Sequence, residues 1–342
     1  MKKTLQISAF ALLLIVAMIS CRKETNSIKD IGFTIKELDL AAGASKTLVL
    51  NVHPLNADDF TVIWTSSNEN VATVSALSEN PVDYNYPAKG IVLGKSAGTA
   101  VITATTKSGG HTATCTINVK NADPEMIFVE GGTFTMGCTA TDGSCFSLEV
   151  PPHEVTLSNF SISKYTITQK QWRFVMDRDP IPDYLLKDDN MPAIFTQMSE
   201  VISFINRLNE LTGKNYRLAT EAEWEYAAKG GNKSLNYIYS GSNNIDEVGW
   251  CRSNCDFFHA VGEKKPNELG IYDMSGNIWE LCSDWFWYYS DEPQVNPTGP
   301  QTGTHYVMRG GTFYLNSSDC IVTSRWYAEI PRVFLGIRVV LP

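Results

Sequence analysis

The texture of the chain changes between Asn121 and Pro124, and that change constrains the fold more than any other feature of the sequence. Up to Lys120, apolar and polar residues alternate in short runs: KTLVLNVHP, TVIWTSSN, VATVS, GIVLG, TAVITATT and TATCTINVK. A period of two buries one face of a strand and leaves the other wet. Gly, Pro, Asn and Ser break the runs at turn spacing, so 31–121 is expected to form an all-β sandwich. Trp64, Val71, Ala72, Val74, Ile102 and Ile117 are its core candidates. Cys115 is in phase with Ala113 and Ile117, which makes it a buried core thiol rather than a reactive one. Asn121-Ala122-Asp123-Pro124 reads as a linker. Beyond it, 126–342 is rich in Trp, Tyr and Gly and poor in regular periodicity, the texture of an α+β, loop-rich unit held together by aromatics.

Three helices stand out in that second unit. In TEAEWEYAAKGG, Thr220 and Glu223 are spaced as a capping box, and Gly230 is placed to end the helix at positive φ. Glu221, Glu223 and Glu225 fall where the helix dipole favours negative charge. The cluster therefore reads as scaffold before it reads as acid/base chemistry. Thr168 and Gln171 form a second capping box ahead of WRFVM. From Glu200 to Leu211, apolar residues recur at helical spacing and stop before Gly213.

The amino terminus, MKKTLQISAFALLLIVAMISC, pairs two lysines with an apolar run from Leu5 to Ile19, too short to span a membrane comfortably. Its end, Met-Ile-Ser-Cys, resembles the lipobox of bacterial lipoproteins. That resemblance implies cleavage before Cys21, so that 1–21 holds the signal and its acylation site. It also implies a polar tether over 22–30 and a lipid anchor to the outer membrane or cell surface. The net charge of −9 contains no basic patch, which argues against nucleic acid as a partner. In an exported chain disulfides are permitted. Cys138 and Cys145 are close in sequence, as are Cys251 and Cys255, and both pairs suggest small local loops, although spacing alone does not fix connectivity. Neither has zinc-ligand spacing or accompanying histidines.

The sandwich segment, with WTSSN and AGTA in order, resembles the group 2 bacterial immunoglobulin-like domain, a spacer or adhesive module. From Met126 on, six ordered motifs resemble the formylglycine-generating enzyme, or sulfatase-modifying factor, family: MIFVEGGTFTMG, PPHEVTLSNFSISKYTITQKQW, LNELTGKNYRLATEAEWEYAAKGG, PNELGIYDMSGNIWELCSDW, MRGGTF and LGIRVV. The resemblance implies a C-type-lectin-like fold. It also implies two cysteines after the Gly-Gly-Ser segment that hold copper(I) and oxidise a substrate cysteine. Here Cys320 occupies the later position, Leu315 stands at the earlier one, and Thr312 replaces serine. One thiolate beside an apolar side chain does not make a two-coordinate sulfur site, so copper is not expected. The histidines lack the helical spacing of an iron site. If the chain were active, Cys320 and Thr312 would carry the chemistry.

The same resemblance places a structural calcium loop at YDMSGNIWE, with carboxylates from Asp273 and Glu280 and carbonyls from Gly276 and Ile278. The equally weighted alternative is a tight turn, with Asp273 capping and Glu280 paired to an arginine. Cys282 and Cys320 are expected to pair, because their motifs are expected to pack near one another. Trp287, Tyr288 and Tyr289 in DWFWYYSDEP offer a contact surface of large area at low entropic cost, weighed against simple core packing. The expectation is a surface-anchored binding protein for a glycan or a protein. The alternative is an oxidoreductase acting on protein or small-molecule thiols.

Overall fold

The computed structural model describes residues 26–77, 88–141, 145–179, 187–328 and 334–342. Cys21 lies outside them. Eight strands build the first unit: β1 (Asp30–Phe33), β2 (Glu37–Ala41), β3 (Ser45–His53), β4 (Val62–Ser66), β5 (Ala72–Ala76), β6 (Ala88–Gly94), β7 (Gly98–Thr106) and β8 (Thr112–Lys120). They form two sheets, β1-β3-β6-β5 and β2-β8-β7-β4, antiparallel throughout except for the β2–β8 pair. The alternation is literal. Along β8, Ala113, Cys115, Ile117 and Val119 are buried, while Thr112, Thr114 and Lys120 face solvent. Leu48, Leu50 and Val92 meet Ile102, Ala104 and Ile117 across the core. Gly90 makes room for the Trp64 ring, since a Cβ there would come within 2.8 Å of it. Trp64 and Val74 are half-buried at the margin of this core.

Residues 26–30, expected to lie in the tether, pack with the sandwich instead. Ile28 is buried in the sandwich core, and the Asn26 N–H donates to Asp58 at 3.0 Å. An apolar side chain with a core to enter does not stay in solvent, so the sandwich begins before β1.

Among the described residues the second unit holds three small sheets and four α-helices. Its strands are β9 (Met126–Val129), β10 (Gly132–Met136), β11 (His153–Leu157), β12 (Phe160–Ser163), β13 (Arg217–Leu218), β14 (Trp279–Trp285), β15 (Gln294–Val295), β16 (Tyr306–Arg309), β17 (Arg325–Ala328), β18 (Leu335–Ile337) and β19 (Val339–Leu341). They assemble as β10-β11-β15, β13-β19-β12-β9 and β17-β16-β14-β18. The helices are α1 (Gln169–Met176), α2 (Met198–Thr212), α3 (Glu221–Ala228) and the single turn α4 (Ile245–Val248). Both capping boxes form, at Thr168 and at Thr220, and Gly213 closes α2 in the left-handed conformation. Trp172 on α1 stacks on Phe204 of α2 with ring centroids 5.3 Å apart.

The linker is docked. Asp123 accepts from the Tyr216 hydroxyl at 2.6 Å and pairs with Lys214 at 2.9 Å. Ala41 from the end of β2 joins the core that contains Leu211 of α2.

Candidate functional site

The glutamate-rich helix α3 is the axis on which the site is built. All eight of its residues are buried, including the three glutamates. A buried carboxylate is costly unless paired, and each has a partner. Glu223 takes a two-pronged bond from Arg217, both contacts at 2.7 Å, as well as the Thr220 N–H at 2.9 Å. Glu221 is clasped by Arg325 through contacts of 2.6 and 2.7 Å and accepts from the Tyr289 hydroxyl at 3.0 Å. Glu225 binds Arg309, Lys229 at 2.6 Å and the Gly137 N–H at 2.8 Å. Burial pushes the Glu225 carboxyl upward, but Lys229 and Arg309 overcome it and hold the group below its ordinary range. Arg309 Nε also lies 3.2 Å from Glu221, too poorly aligned to count as a hydrogen bond. The cluster is scaffold, and its carboxylates are committed.

Two cavities open at opposite ends of this helix. The first, about 570 Å³, has Glu221, Asp284 and Arg325 in its lining, with Trp287 and Tyr288 beside them. Trp287 and Tyr288 are each 66% exposed. Tyr289 does not join them at the surface. It is half-buried in the lining of the same cavity, lies with the Arg325 guanidinium 4.0 Å from its ring, and meets His153 edge-on. Trp285 stacks on Tyr306 at 3.9 Å. Asp284 accepts from the Glu221 N–H and the Ser283 hydroxyl, both at 3.0 Å. Burial, reinforced by the charge of Glu221, pushes its carboxyl up to about 7. The second cavity, about 1010 Å³, lies at the far end of the helix and is lined by Phe134, Phe146, Tyr226, Lys229 and Ile238 among others.

The expected calcium loop is brought together, but its donors are not free. Glu280 is buried with both oxygens engaged: Arg338 at 2.8 and 2.9 Å, the Trp224 indole at 2.7 Å and the Thr166 hydroxyl at 2.6 Å. Asp273 and Gly276 both take positive φ, and the Gly276 N–H donates to Gly310 O at 2.6 Å. Asp273 accepts the Gly262 N–H through Oδ2 at 2.7 Å, while buried Oδ1 finds no hydrogen-bond partner. Burial pushes this carboxyl up to about 6. Of the four expected ligands, then, Asp273 offers an idle oxygen and Glu280 is already neutralised by Arg338. Ile278 is a buried core residue beside Phe258 and Phe313, and its carbonyl remains the fourth expected donor. The set does not fit a cation held between two carboxylates. Glu280 is paired to an arginine as the alternative has it, whereas Asp273 bonds Gly262 rather than capping its own turn.

The cysteines correct the expected pairing. Cys138 and Cys145 are joined by a disulfide, while Cys115, Cys251, Cys255, Cys282 and Cys320 carry free thiols. Cys282 points from β14 into the core around Trp224 and Met274, whereas Cys320 ends a short turn and packs against Cys251, so the two do not share a cluster. Cys320 is fully buried, and burial drives its thiol far above the ordinary range. Leu315 is half-buried against the aromatic core, and the Thr312 hydroxyl donates to Asn277 O at 3.1 Å.

Sequence reasoning placed Arg309 and Arg338 inside motifs without giving them partners. Asp284 likewise lay inside a motif without a role, and Arg325 and Glu149 were missed altogether. Glu149 is buried, accepts from Thr323 at 3.1 Å, and is raised by burial. A single isolated carboxylate far from its partners in sequence leaves no local signal.

A model of the sulfatase-modifying factor enzyme 1-like domain matches residues 112–342. The chain belongs to this family. The group 2 bacterial Ig-like domain matches residues 27–117 ahead of it. Among curated relatives of this family member, a chaperone protein LppX from Paenibacillus barcinonensis is 34% identical over 68% of this chain and 94% of its own length. A formylglycine-generating enzyme from Thermomonospora curvata is 26% identical over 57% of this chain and 84% of its own. Among solved structures, Treponema denticola variable protein 1 superposes with a TM-score of 0.56 and 27% identity, over 63% of this chain and 94% of its own.

Proposed function

We propose that this family member is an exported binding protein. In this reading Cys21 carries the lipid anchor, the sandwich acts as a spacer, and the cleft beside Trp287 and Tyr288 receives a polypeptide partner at the cell surface. The observation that carries the reading is the pair of exposed aromatics at a cavity whose floor is locked by the Glu221–Arg325 pair. Two large, rigid side chains left in water beside a preorganised hollow are the composition of an interaction hot spot. A chaperone named among the relatives, similar over nearly its whole length, favours a polypeptide over a glycan as the occupant.

The oxidoreductase reading has the enzyme relatives in its favour and the local chemistry against it. Leu315 offers no donor, Cys320 is sealed away from any external substrate, and the Thr312 hydroxyl is spent on Asn277. Calcium binding would have to rest on Asp273 Oδ1 with backbone oxygens. An unchanged unfolding temperature in excess calcium and in chelator would remove it.

The test of the binding reading uses a permanently unfolded, carboxymethylated polypeptide as the probe, with an oligosaccharide panel in parallel. Replacing Trp287 and Tyr288 together by alanine should weaken polypeptide binding by roughly tenfold or more, about 1.4 kcal/mol or more, with no change in unfolding temperature. Equal affinity of the double variant and the parent would end the proposal. Aldehyde formation on a thiol-bearing peptide would replace it with the oxidoreductase.

A further inference from the structure

Cys320 lacks the family's neighbouring thiol at position 315, yet it has sulfur beside it. It packs against Cys251 and Ile245 in a small apolar cluster, with Tyr239 at the margin. Both thiols are fully buried. The segments that carry them are tied together: the Arg252 N–H donates to Leu315 O at 2.9 Å. Gly311 opens the space, since a Cβ there would lie 2.7 Å from Cys320 Sγ. Cys255 follows Cys251 by one tight turn. The N–H groups of Asn254 and Cys255 donate to Cys251 O at 3.0 and 3.1 Å, and Asn254 Oδ1 accepts the Cys251 N–H at 2.9 Å. Of the three cysteines, Cys255 alone has access to solvent.

We propose that Cys255, Cys251 and Cys320 form a thiol–disulfide relay that takes oxidising equivalents from an external disulfide and stores them as a buried Cys251–Cys320 bond. The accessible Cys255 thiolate attacks a sulfur of the external disulfide and releases one external thiol. Cys251 then attacks Cys255 Sγ, forms the Cys251–Cys255 bond within the turn, and releases the second external thiol. Finally Cys320 attacks Cys251 Sγ and returns Cys255 as a thiol. Two electrons and two protons pass from the chain to the external disulfide. Access dictates the direction of transfer. The relay is independent of the cleft beside Trp287.

Exposure of the full chain in detergent to oxidised glutathione, followed by denaturing alkylation and non-reducing peptide mapping, tests the relay. The expected end product is a Cys251–Cys320 cross-link with Cys255 alkylated. Cys255→Ser, a near-isosteric change at a half-buried position, should slow its formation by about an order of magnitude, and Cys320→Ser should accumulate the Cys251–Cys255 bond. Three outcomes each overturn the relay: Cys251 and Cys320 both remaining alkylated, a Cys251–Cys255 bond as the wild-type end product, or oxidation of Cys255→Ser at the wild-type rate.

Discussion

The two units solve the problem of a stable interior in opposite ways. The sandwich excludes charge from its core: Leu48, Leu50, Ile102 and Ile117 meet one another, and ion pairs such as Lys120–Asp39 stay outside. The sulfatase-modifying factor unit instead runs charge through its centre. Arg309 and Arg338 rank among its largest fully buried side chains, each set against a buried glutamate. Apolar burial is non-directional and tolerant of repacking. A buried ion pair is directional and punishes the loss of one partner. The loop-rich unit has little regular hydrogen bonding to fix its segments, and the arginines tie loops to helix. Arg309 alone reaches Glu225, Val322 O and Ser324 O.

Removing a charge from the second unit should therefore give the largest effect. Arg309→Met keeps the bulk but strands Glu225 with only Lys229 and the Gly137 N–H, and removes the ties to 322–324. A loss of about 3–5 kcal/mol is expected, read as a fall in the denaturation midpoint. A loss below about 1 kcal/mol would mean that the ion pairs merely decorate the core, and the contrast between the units would collapse.

The matching cut in the sandwich is Ile102→Ala. Ile102 is completely buried between the sheets, so truncation should cost about 2–4 kcal/mol through lost transfer energy and the cavity left behind. Partial repacking should place it below the arginine variant. If it matched or exceeded Arg309→Met, the ranking of the two interiors would be reversed.

How far each interior could be read from sequence follows from the same contrast. Alternation over TATCTINVK exposes the core of β8, because burial there depends only on position along the strand. The caps at Thr168 and Thr220 are equally legible, since donor and acceptor lie within one turn. The ion pairs are not. Glu221 and Arg325 lie 104 residues apart, and no periodicity links them. The motifs identified the family and so the fold, but not which carboxylates were already committed. That is why the sequence leaves Glu280 open between metal ligand and arginine partner, and the structure pairs it with Arg338. The Cys282–Cys320 pairing failed for a related reason: motif proximity says nothing of which way a side chain on β14 points.

A pH experiment sharpens the comparison at intermediate scale. Asp284 and Asp273 are raised by burial to about 7 and about 6. A folded carboxyl that holds its proton more tightly than the unfolded chain favours the native state at low pH, and that advantage fades as pH rises through the folded value. These two groups should thus lower stability progressively between about pH 4 and pH 7, whereas Glu225, whose carboxyl is held low, loses its contribution only as pH falls below about 4. Asp284→Asn retains an acceptor for the Glu221 N–H and loses the titration. It should flatten this part of the stability profile and raise stability at pH 8 by a few kcal/mol at most. An unchanged profile would mean that Asp284 is ionised across the range, with solvent from the cleft supplying what burial removes.

The smallest effect belongs to the sandwich surface. Asp39 is held below its ordinary range chiefly by its hydrogen bond to Lys120, yet both partners are half in water. Exposed pairs contribute about 0–1 kcal/mol, and salt screens most of it. Lys120→Ala should therefore change stability by less than about 1 kcal/mol, with the difference vanishing in molar salt. The result matters for its sign of dependence rather than its size. Salt sensitivity in this variant, with salt insensitivity in Arg309→Met, would show the same chemical pair behaving as two different interactions according to whether water reaches it. If both variants responded to salt alike, the buried arginine would be solvated after all, and the division between a dry apolar sandwich and a charge-stitched partner would have no physical basis.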